Sequence, residues 1–179
     1  MKWISHSAIA GTSAAVVDPV LIPAVVLGAT APDWLEWVIG SSGIKITHRK
    51  ETHYLVVWLV AFLISLPFTD LWVGFLWLSA FLYGGFNHII CDSFTVQGVP
   101  FSPHSRRRFH LFGGRLRTGS AQEYVIAAGL SFMFVFVAFQ LNKNESYSGF
   151  MPYFYDWSGA YERGELDAYE WKQNRWKFI

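Results

Sequence analysis

Three long apolar segments constrain this 179-residue chain more than any other feature of its sequence. They cover residues 54–68, 71–90 and 124–141, and none contains Asp, Glu, Lys or Arg. A helix that crosses a bilayer needs about 20 apolar residues, within a range of about 17–25. The second and third segments meet that length, whereas the first is short. A soluble protein of this size cannot build a core that buries all three. We therefore predict an all-α fold, a polytopic membrane helical bundle.

Composition supports a membrane protein and excludes several other classes. Hydrophobic residues make up 53% of the chain and charged residues 15%, against about 25% charged residues in an ordinary soluble domain. This composition excludes a disordered chain, a collagen-like fibre and a coiled coil. A net charge of +1 provides no basic surface for nucleic acid, so we expect no nucleic-acid partner. The single cysteine, Cys91, excludes an internal disulfide and a Cys-rich zinc site.

The N-terminal stretch 8–31 is also apolar, but Asp18, Pro19 and Pro23 interrupt it. Because proline ends or kinks a helix, this stretch forms either one kinked span or two short helices of about 10–12 residues. In the second case the chain folds back at Asp18-Pro19 as a re-entrant hairpin. A cleaved signal peptide over the first 25 residues is a third interpretation.

Basic residues predict which side of the membrane each loop occupies. They cluster in residues 45–50 and 106–117, on either side of the first two apolar segments. The positive-inside rule makes both clusters cytoplasmic and Thr69-Asp70 an external turn. We accordingly divide the chain into a membrane-embedded domain, 1–141, and an aromatic-rich C-terminal tail, 142–179. The tail is predicted to lie on the outer side, against the membrane or the helices.

Ionisable residues collect near the predicted cytoplasmic edge. His88 and Asp92 are four residues apart, which places both on one face of a helix. An imidazole and a carboxylate on one face suit zinc or another divalent ion. The alternative is a His–Asp hydrogen bond that ties two helices together. Asp33 follows Pro32, which predicts a helix break there, with the cap of a new helix as the alternative role for Asp33.

Three segments, GATAPDWLEW, HRKETHYL and NHIICDSFTVQGVPFSP, occur in this order along the chain. Together they resemble the inner-membrane metal-dependent hydrolase family, which is also described as LexA-binding and inner-membrane-associated. The shared motifs are Pro-Asp, then His-Arg-x-x-Thr-His, then His-x-x-x-Asp-x-x-Thr-x-x-Gly-Val. The resemblance covers residues 1–141, with two departures. The acid that follows Asp33 is Glu36, one position later than in the family, and the residue after Thr-His is Tyr54 where the family has serine.

The resemblance implies a divalent metal, zinc first, as the cofactor. It implies the metal ligands His6, Asp33, His53, His88 and Asp92. The catalytic candidates are Glu36 as a general base or outer ligand, His48 as a further ligand or proton carrier, and Arg49 as a phosphate-binding group, aided by Arg106–Arg108. It also implies a multi-pass protein of the cell inner membrane, with the metal site at the cytoplasmic edge.

A more distant likeness, in the order of the ligands only, is to zinc-dependent phospholipase C and P1-type nucleases. It implies hydrolysis of a phosphoester by metal-activated water. The apolar loop 98–101 is expected to lie at the membrane interface, so we expect membrane lipid as a partner and a lipid-type phosphoester as the substrate.

Two other functions remain open from the sequence. The first is a non-catalytic, metal-stabilised membrane scaffold that recruits a cytosolic protein through its Arg-rich loop. We expect a scaffold to lack a spare acid such as Glu36 beside its ligands. A transporter is disfavoured, because ionisable groups at a single edge provide no path through the membrane.

Overall fold

The computed structural model describes residues 1–69, 71–105, 107–141 and 157–174. This part of the chain is mostly helical. Its helices are α1 Trp3–Val17, α2 Ile22–Ser41, α3 Leu55–Ser65, α4 Val73–Ser93, α5 Ala121–Leu141, α6 Trp157–Glu162 and α7 Ala168–Asn174. Single 3-10 turns cover Pro19–Leu21, Leu66–Phe68 and Leu111–Gly113, and a small ribbon pairs β1 Val99–Pro100 with β2 Arg108–Phe109.

Two of the three predicted apolar segments form helices that can cross a membrane. Helices α4 and α5 have 21 residues each, and both are long and apolar enough. The first segment is shorter: α3 with its terminal 3-10 turn covers Leu55–Phe68. Asp70 of the predicted external turn lies outside the described residues, as do residues 142–156 and 175–179 of the predicted tail. The described part of the tail contains α6 and α7.

The N-terminal stretch is two helices and not one continuous helix. Helix α1 ends at Val17, and the Asp18 side chain accepts a hydrogen bond of 2.9 Å from the Val20 amide in the next 3-10 turn. Pro23 falls in the first turn of α2, where a missing N–H breaks no hydrogen bond. Neither Pro19 nor Pro23 lies inside α1, and Pro23 is tolerated at the start of α2. Helices α1 and α2 therefore have 15 and 20 residues, and both are longer than the predicted 10–12 residues.

Helix α2 continues through Pro32, so the predicted break before Asp33 is wrong. Proline removes one backbone donor, and membrane helices tolerate this loss where neighbouring groups satisfy the freed carbonyls. The carbonyl that loses its helical donor is that of Gly28, four residues before Pro32, and the next carbonyl, of Ala29, accepts a hydrogen bond of 2.7 Å from His88 Nδ1 on α4. Asp33 is therefore a helical residue in the body of α2 and not a cap.

Helices α2 and α4 approach at backbone contact through two glycines. A Cβ atom on Gly28 would lie 1.9 Å from the Phe81 carbonyl oxygen, and one on Gly84 would lie 2.1 Å from the Val25 carbonyl oxygen. Only a residue without a side chain fits at either position. This close crossing brings Asp33 of α2 beside His88 of α4, one turn beyond Gly84.

The ribbon was not predicted, and it changes the expected role of loop 98–101. Val99 is fully buried in the core beneath α3 and α4, and Phe101 is the half-exposed member of the loop. Arg108 fastens the ribbon, because its guanidinium donates to the Gln97 and Arg49 carbonyls at 2.9 and 3.0 Å. Most of this loop therefore packs inward, and only Phe101 is available for an interface.

Candidate metal centre

The predicted pair on α4 is completely buried and meets a histidine from α1. His88 Nε2 lies 3.5 Å from Asp92 Oδ2, and His6 Nε2 lies 3.3 Å from Asp92 Oδ1. The His6 and His88 rings stack with their centroids 3.8 Å apart. Helices α1 and α4 thus place two imidazoles and one carboxylate in one group, whose nearest donor atoms all lie within 4.8 Å.

A second group shares His88 with the first. Asp33 Oδ1 lies 3.4 Å from His53 Nε2 and 3.9 Å from His88 Nε2. His53 comes from the loop just before α3, and its Nε2 is also 4.0 Å from Asp92 Oδ2. All five residues predicted as ligands are therefore in one buried cluster, drawn from four separate parts of the chain.

Hydrogen bonds behind two of the rings fix which nitrogen faces the cluster. His88 Nδ1 donates to the Ala29 carbonyl at 2.7 Å, and His53 Nδ1 lies 2.9 Å from Thr52 Oγ1. A carbonyl can only accept, and the Thr52 hydroxyl already donates its proton to Glu36, so both contacts put the ring proton on Nδ1. In each ring Nε2 then presents a lone pair toward the aspartates, as it does in metal-ligating histidines.

The inward-facing atoms of the cluster lack hydrogen-bond partners within the described part of the chain. They are His6 Nε2, His53 Nε2, His88 Nε2 and Asp92 Oδ2. Burial lowers the pKa of His53 below its usual value, although Asp33 opposes this shift, so its ring is neutral at pH 7. The neutral His53 Nε2 then faces carboxylate oxygens of Asp33 and Asp92 at 3.4 and 4.0 Å, with acceptors on both sides. A cation between them would satisfy both, and a His and Asp donor set fits zinc.

Glu36 on α2 organises the loop that carries His53. Its carboxylate accepts hydrogen bonds from the Arg49 amide at 2.7 Å and from Thr52 Oγ1 at 3.0 Å. It also lies 2.6 Å from His48 Nδ1. Glu36 is therefore fully occupied and is not the spare acid that was expected to separate an enzyme from a scaffold. Its predicted role as a general base remains a prediction.

Arg49 is buried beside Asp92, in an unusual backbone conformation. Its φ angle of 55° lies in the left-handed region that side chains other than glycine rarely adopt. Its Nη2 donates to Asp92 Oδ1 at 2.7 Å, and Nη1 donates to Gln97 Oε1 at 3.0 Å. The amino group of Met1 also contacts Asp92. Arg49 and Met1 thus supply positive charge to the most buried carboxylate of the cluster.

A cavity of about 440 Å³ opens beside the cluster. Three of the predicted site residues line it: Asp33, His48 and Arg49. Lys2 and Gln97 also line it. The cavity gives the cluster access to solvent and brings cationic side chains to its wall, which suits an anionic ligand.

Several contributors were missed from the sequence. Trp3 Nε1 donates to Asp33 Oδ2 at 2.5 Å, and Ala29 acts through its carbonyl. Neither contribution can be recognised in the sequence, because a single Trp and a backbone carbonyl occur in helices of every kind. Gln97 occupies an x position of the motif His-x-x-x-Asp-x-x-Thr-x-x-Gly-Val. The sequence therefore indicates only that it lies between the motif residues Thr95 and Gly98.

All four described arginines of the Arg-rich loop are exposed: Arg107, Arg108, Arg115 and Arg117. Arg108 differs from the other three because its guanidinium fastens the ribbon. Arg106 lies outside the described residues. Phosphate binding by Arg106–Arg108 remains a prediction, and for Arg108 the structure provides an alternative role.

Comparisons with known proteins give one match. No curated protein and no solved structure matches the chain significantly. The family model described as YdjM inner membrane protein matches residues 1–147, which include all eight predicted site residues. That description states a location and no activity, so metal binding, hydrolysis and the phospholipase C likeness remain predictions. The chain belongs to the YdjM inner membrane protein family.

Proposed function

We propose that this inner-membrane protein is a multi-pass, metal-dependent hydrolase of a lipid-type phosphoester, with its site at the cytoplasmic edge. The observation that carries the proposal is the buried cluster in which the Nε2 atoms of three histidines and one oxygen of Asp92 have no hydrogen-bond partner among the described residues. Buried polar atoms without partners are costly, and a divalent cation is the partner that this donor set fits.

Each residue of the cluster has a role in this proposal. The metal would be held by His6, Asp33, His53, His88 and Asp92, in two overlapping groups that share His88. A bound divalent ion would activate water for attack on the phosphoester. Glu36 holds the His53 ring and its loop in position. Arg49, His48 and Lys2 line the cavity and would pair with the substrate phosphate.

The proposal includes a re-entrant pair formed by α1 and α2. With 15 residues, α1 is about 22 Å long, which is shorter than the bilayer core of about 30 Å. His6 near its start and Asp33 within α2 lie in the same cluster. Ala10 and Ala14 of α1 pack in one apolar cluster with Leu21 and Val25. A hairpin placed at one membrane edge accounts for these contacts.

Metal analysis of the purified full chain tests the first half of the proposal. We expect about one or two zinc ions per chain in protein that was purified without any chelator. The double variant His88→Ala, Asp92→Ala should lose the metal, whereas His104→Ala, an exposed histidine outside the cluster, should retain it. Metal below about 0.1 per chain in the unsubstituted protein would remove the cluster as a metal site.

Turnover tests the second half. Bis(p-nitrophenyl) phosphate should be hydrolysed by the metal-loaded chain, and EDTA or the double substitution should abolish the rate. Metal without turnover would instead favour the scaffold. That alternative is supported by exposed arginines at 107, 115 and 117, which have no described ion pair and could contact a cytosolic protein.

A further inference from the structure

A second cavity lies away from the metal cluster, along the start of α5. It is an apolar groove of about 800 Å³ between that helix and the loop before it. Its apolar lining comes from the end of α4, the loop and the first turns of α5: Phe94, Phe112, Leu116, Val125, Ile126 and Leu130. Arg115 is the charged residue among the described lining residues.

The groove is preformed by backbone contacts. The Leu116 amide donates to the Phe94 carbonyl at 3.1 Å, which fixes the loop against the end of α4. Gly114 has a φ of 60°, and a Cβ there would lie 2.4 Å from His110 Nδ1, so only glycine fits. The neighbouring Phe112 is also in the left-handed region, with a φ of 50°. These conformations hold the loop in one shape beside α5.

The loop presents an apolar surface and a free charge together. Phe112 is 83% exposed although its ring stacks on Phe94, with centroids 5.6 Å apart. Within the described ranges no hydrogen bond or ion pair involves the exposed Arg115 guanidinium. An unpaired arginine beside an open apolar groove is suited to an amphiphile with an anionic head.

The length of the groove fits one acyl chain. Its lining runs from Ala121 to Leu130 on α5, and ten helical residues span about 15 Å. This is half of the bilayer core of about 30 Å, the depth of a single leaflet. Val125 and Ile126 are exposed on a helix that can cross the membrane. An acyl chain is therefore the occupant that both the location and the length favour over a peptide.

We propose that this groove binds one acyl chain of an anionic glycerophospholipid, whose phosphate pairs with Arg115. The site is independent of metal and of hydrolysis. Its lining residue Leu116 belongs to the same buried cluster as Met1, which lines the cavity beside the candidate metal ligands.

Native mass spectrometry of the full chain in detergent, with EDTA present, tests this site with dioleoyl-phosphatidylglycerol and dioleoyl-phosphatidylcholine as probes. We expect one tightly bound phosphatidylglycerol and weaker binding of phosphatidylcholine. Arg115→Gln should weaken phosphatidylglycerol binding about fivefold, as expected for one arginine at an anionic lipid surface. Ala121→Trp, which fills the groove, should weaken binding of both lipids.

Arg117→Gln is the matched control, because Arg117 is an exposed arginine of the same loop outside the groove. It should leave phosphatidylglycerol binding unchanged. Equal losses in the two arginine variants would mean general surface attraction and overturn the site. Unchanged binding in Ala121→Trp, or equal affinity of the unsubstituted chain for the two lipids, would also overturn it. All variants are compared at matched elution volume on size exclusion, which excludes misfolded samples.

Discussion

Glu36 shows how one side chain outside the cluster of candidate metal ligands holds part of that cluster in place. It binds the Arg49 amide, the Thr52 hydroxyl and the Nδ1 side of the His53 ring. The loop that carries His53 is therefore shaped by a carboxylate from α2. This arrangement leaves His53 Nε2 as the free nitrogen toward Asp33. Partners of this kind set both the orientation and the basicity of a ligating histidine.

We therefore predict that Glu36→Gln weakens zinc binding by about 10- to 100-fold, the usual cost of losing an outer partner of a metal ligand. The glutamine amide keeps the volume but removes the charge that holds the His53 ring and its loop. Competition with a fluorescent zinc chelator measures the change. Glu51→Gln, at an exposed acid of the same loop, is the control and should bind zinc like the unsubstituted chain. Equal affinity of the two variants would show that Glu36 has no such role.

At this scale the sequence predicts which candidate ligands lie close together, but not the residues that support them. His53, His88 and Asp92 occur in spaced motifs of residue types that bind metals, and the structure brings them together. Ala29 contributes a carbonyl and Trp3 an indole N–H. Neither residue type indicates metal chemistry, so their roles depend on three-dimensional contacts alone.

The helices place the cluster through one unusually close crossing. Gly28 and Gly84 let α2 and α4 touch at their backbones. Small residues at such crossings are typical of membrane helices. Since His88 lies one turn beyond Gly84 and Asp33 lies beyond Gly28, the spacing of these two helices sets the spacing of the two side chains.

We predict that Gly84→Ala destabilises the protein by about 1–3 kcal/mol, the usual cost of overpacking, and lowers its zinc content. The added methyl would have to displace the Val25 carbonyl region of α2. Thermal unfolding in detergent and metal analysis measure the two effects.

Gly129→Ala on α5 is the matched control, since nothing lies within 4 Å of its Cβ position. Alanine favours a helix over glycine by up to about 1 kcal/mol, so this variant should be as stable as the unsubstituted chain or more stable. Equal stability of the two alanine variants would contradict the crossing.

Apolar runs without charge predicted α3, α4 and α5 to within three residues at most of their ends. The continuation of α2 through Pro32 was not predictable, because it depends on contacts with α4. The ribbon at Val99 and Arg108 was missed for a similar reason. Its two-residue strands are too short for an alternating pattern, and they form because Arg108 bonds to two distant carbonyls.

At the scale of the whole molecule, the family match places the protein in the inner membrane. Helices α4 and α5 are long and apolar enough to provide two crossings. The cluster of candidate metal ligands lies toward the end of α4, at Asp92, and α5 begins beyond the Arg-rich loop. If both helices cross, the loop and the cluster share one face of the membrane, and the residues after Leu141 lie on the other.

This arrangement predicts opposite labelling at two exposed positions. In a Cys91→Ser background, Arg107→Cys reports on the loop and Glu162→Cys reports on α6, since both residues are exposed. An impermeant maleimide added to right-side-out inner-membrane vesicles should label position 162 at once. Position 107 should react only after the vesicles are permeabilised, because clustered arginines are retained on the cytoplasmic side. Cys91 itself is 3% exposed, and its removal ensures that any label reports the introduced cysteine. Equal labelling of both positions from outside would reject the two crossings and, with them, a metal site that faces the cytoplasm.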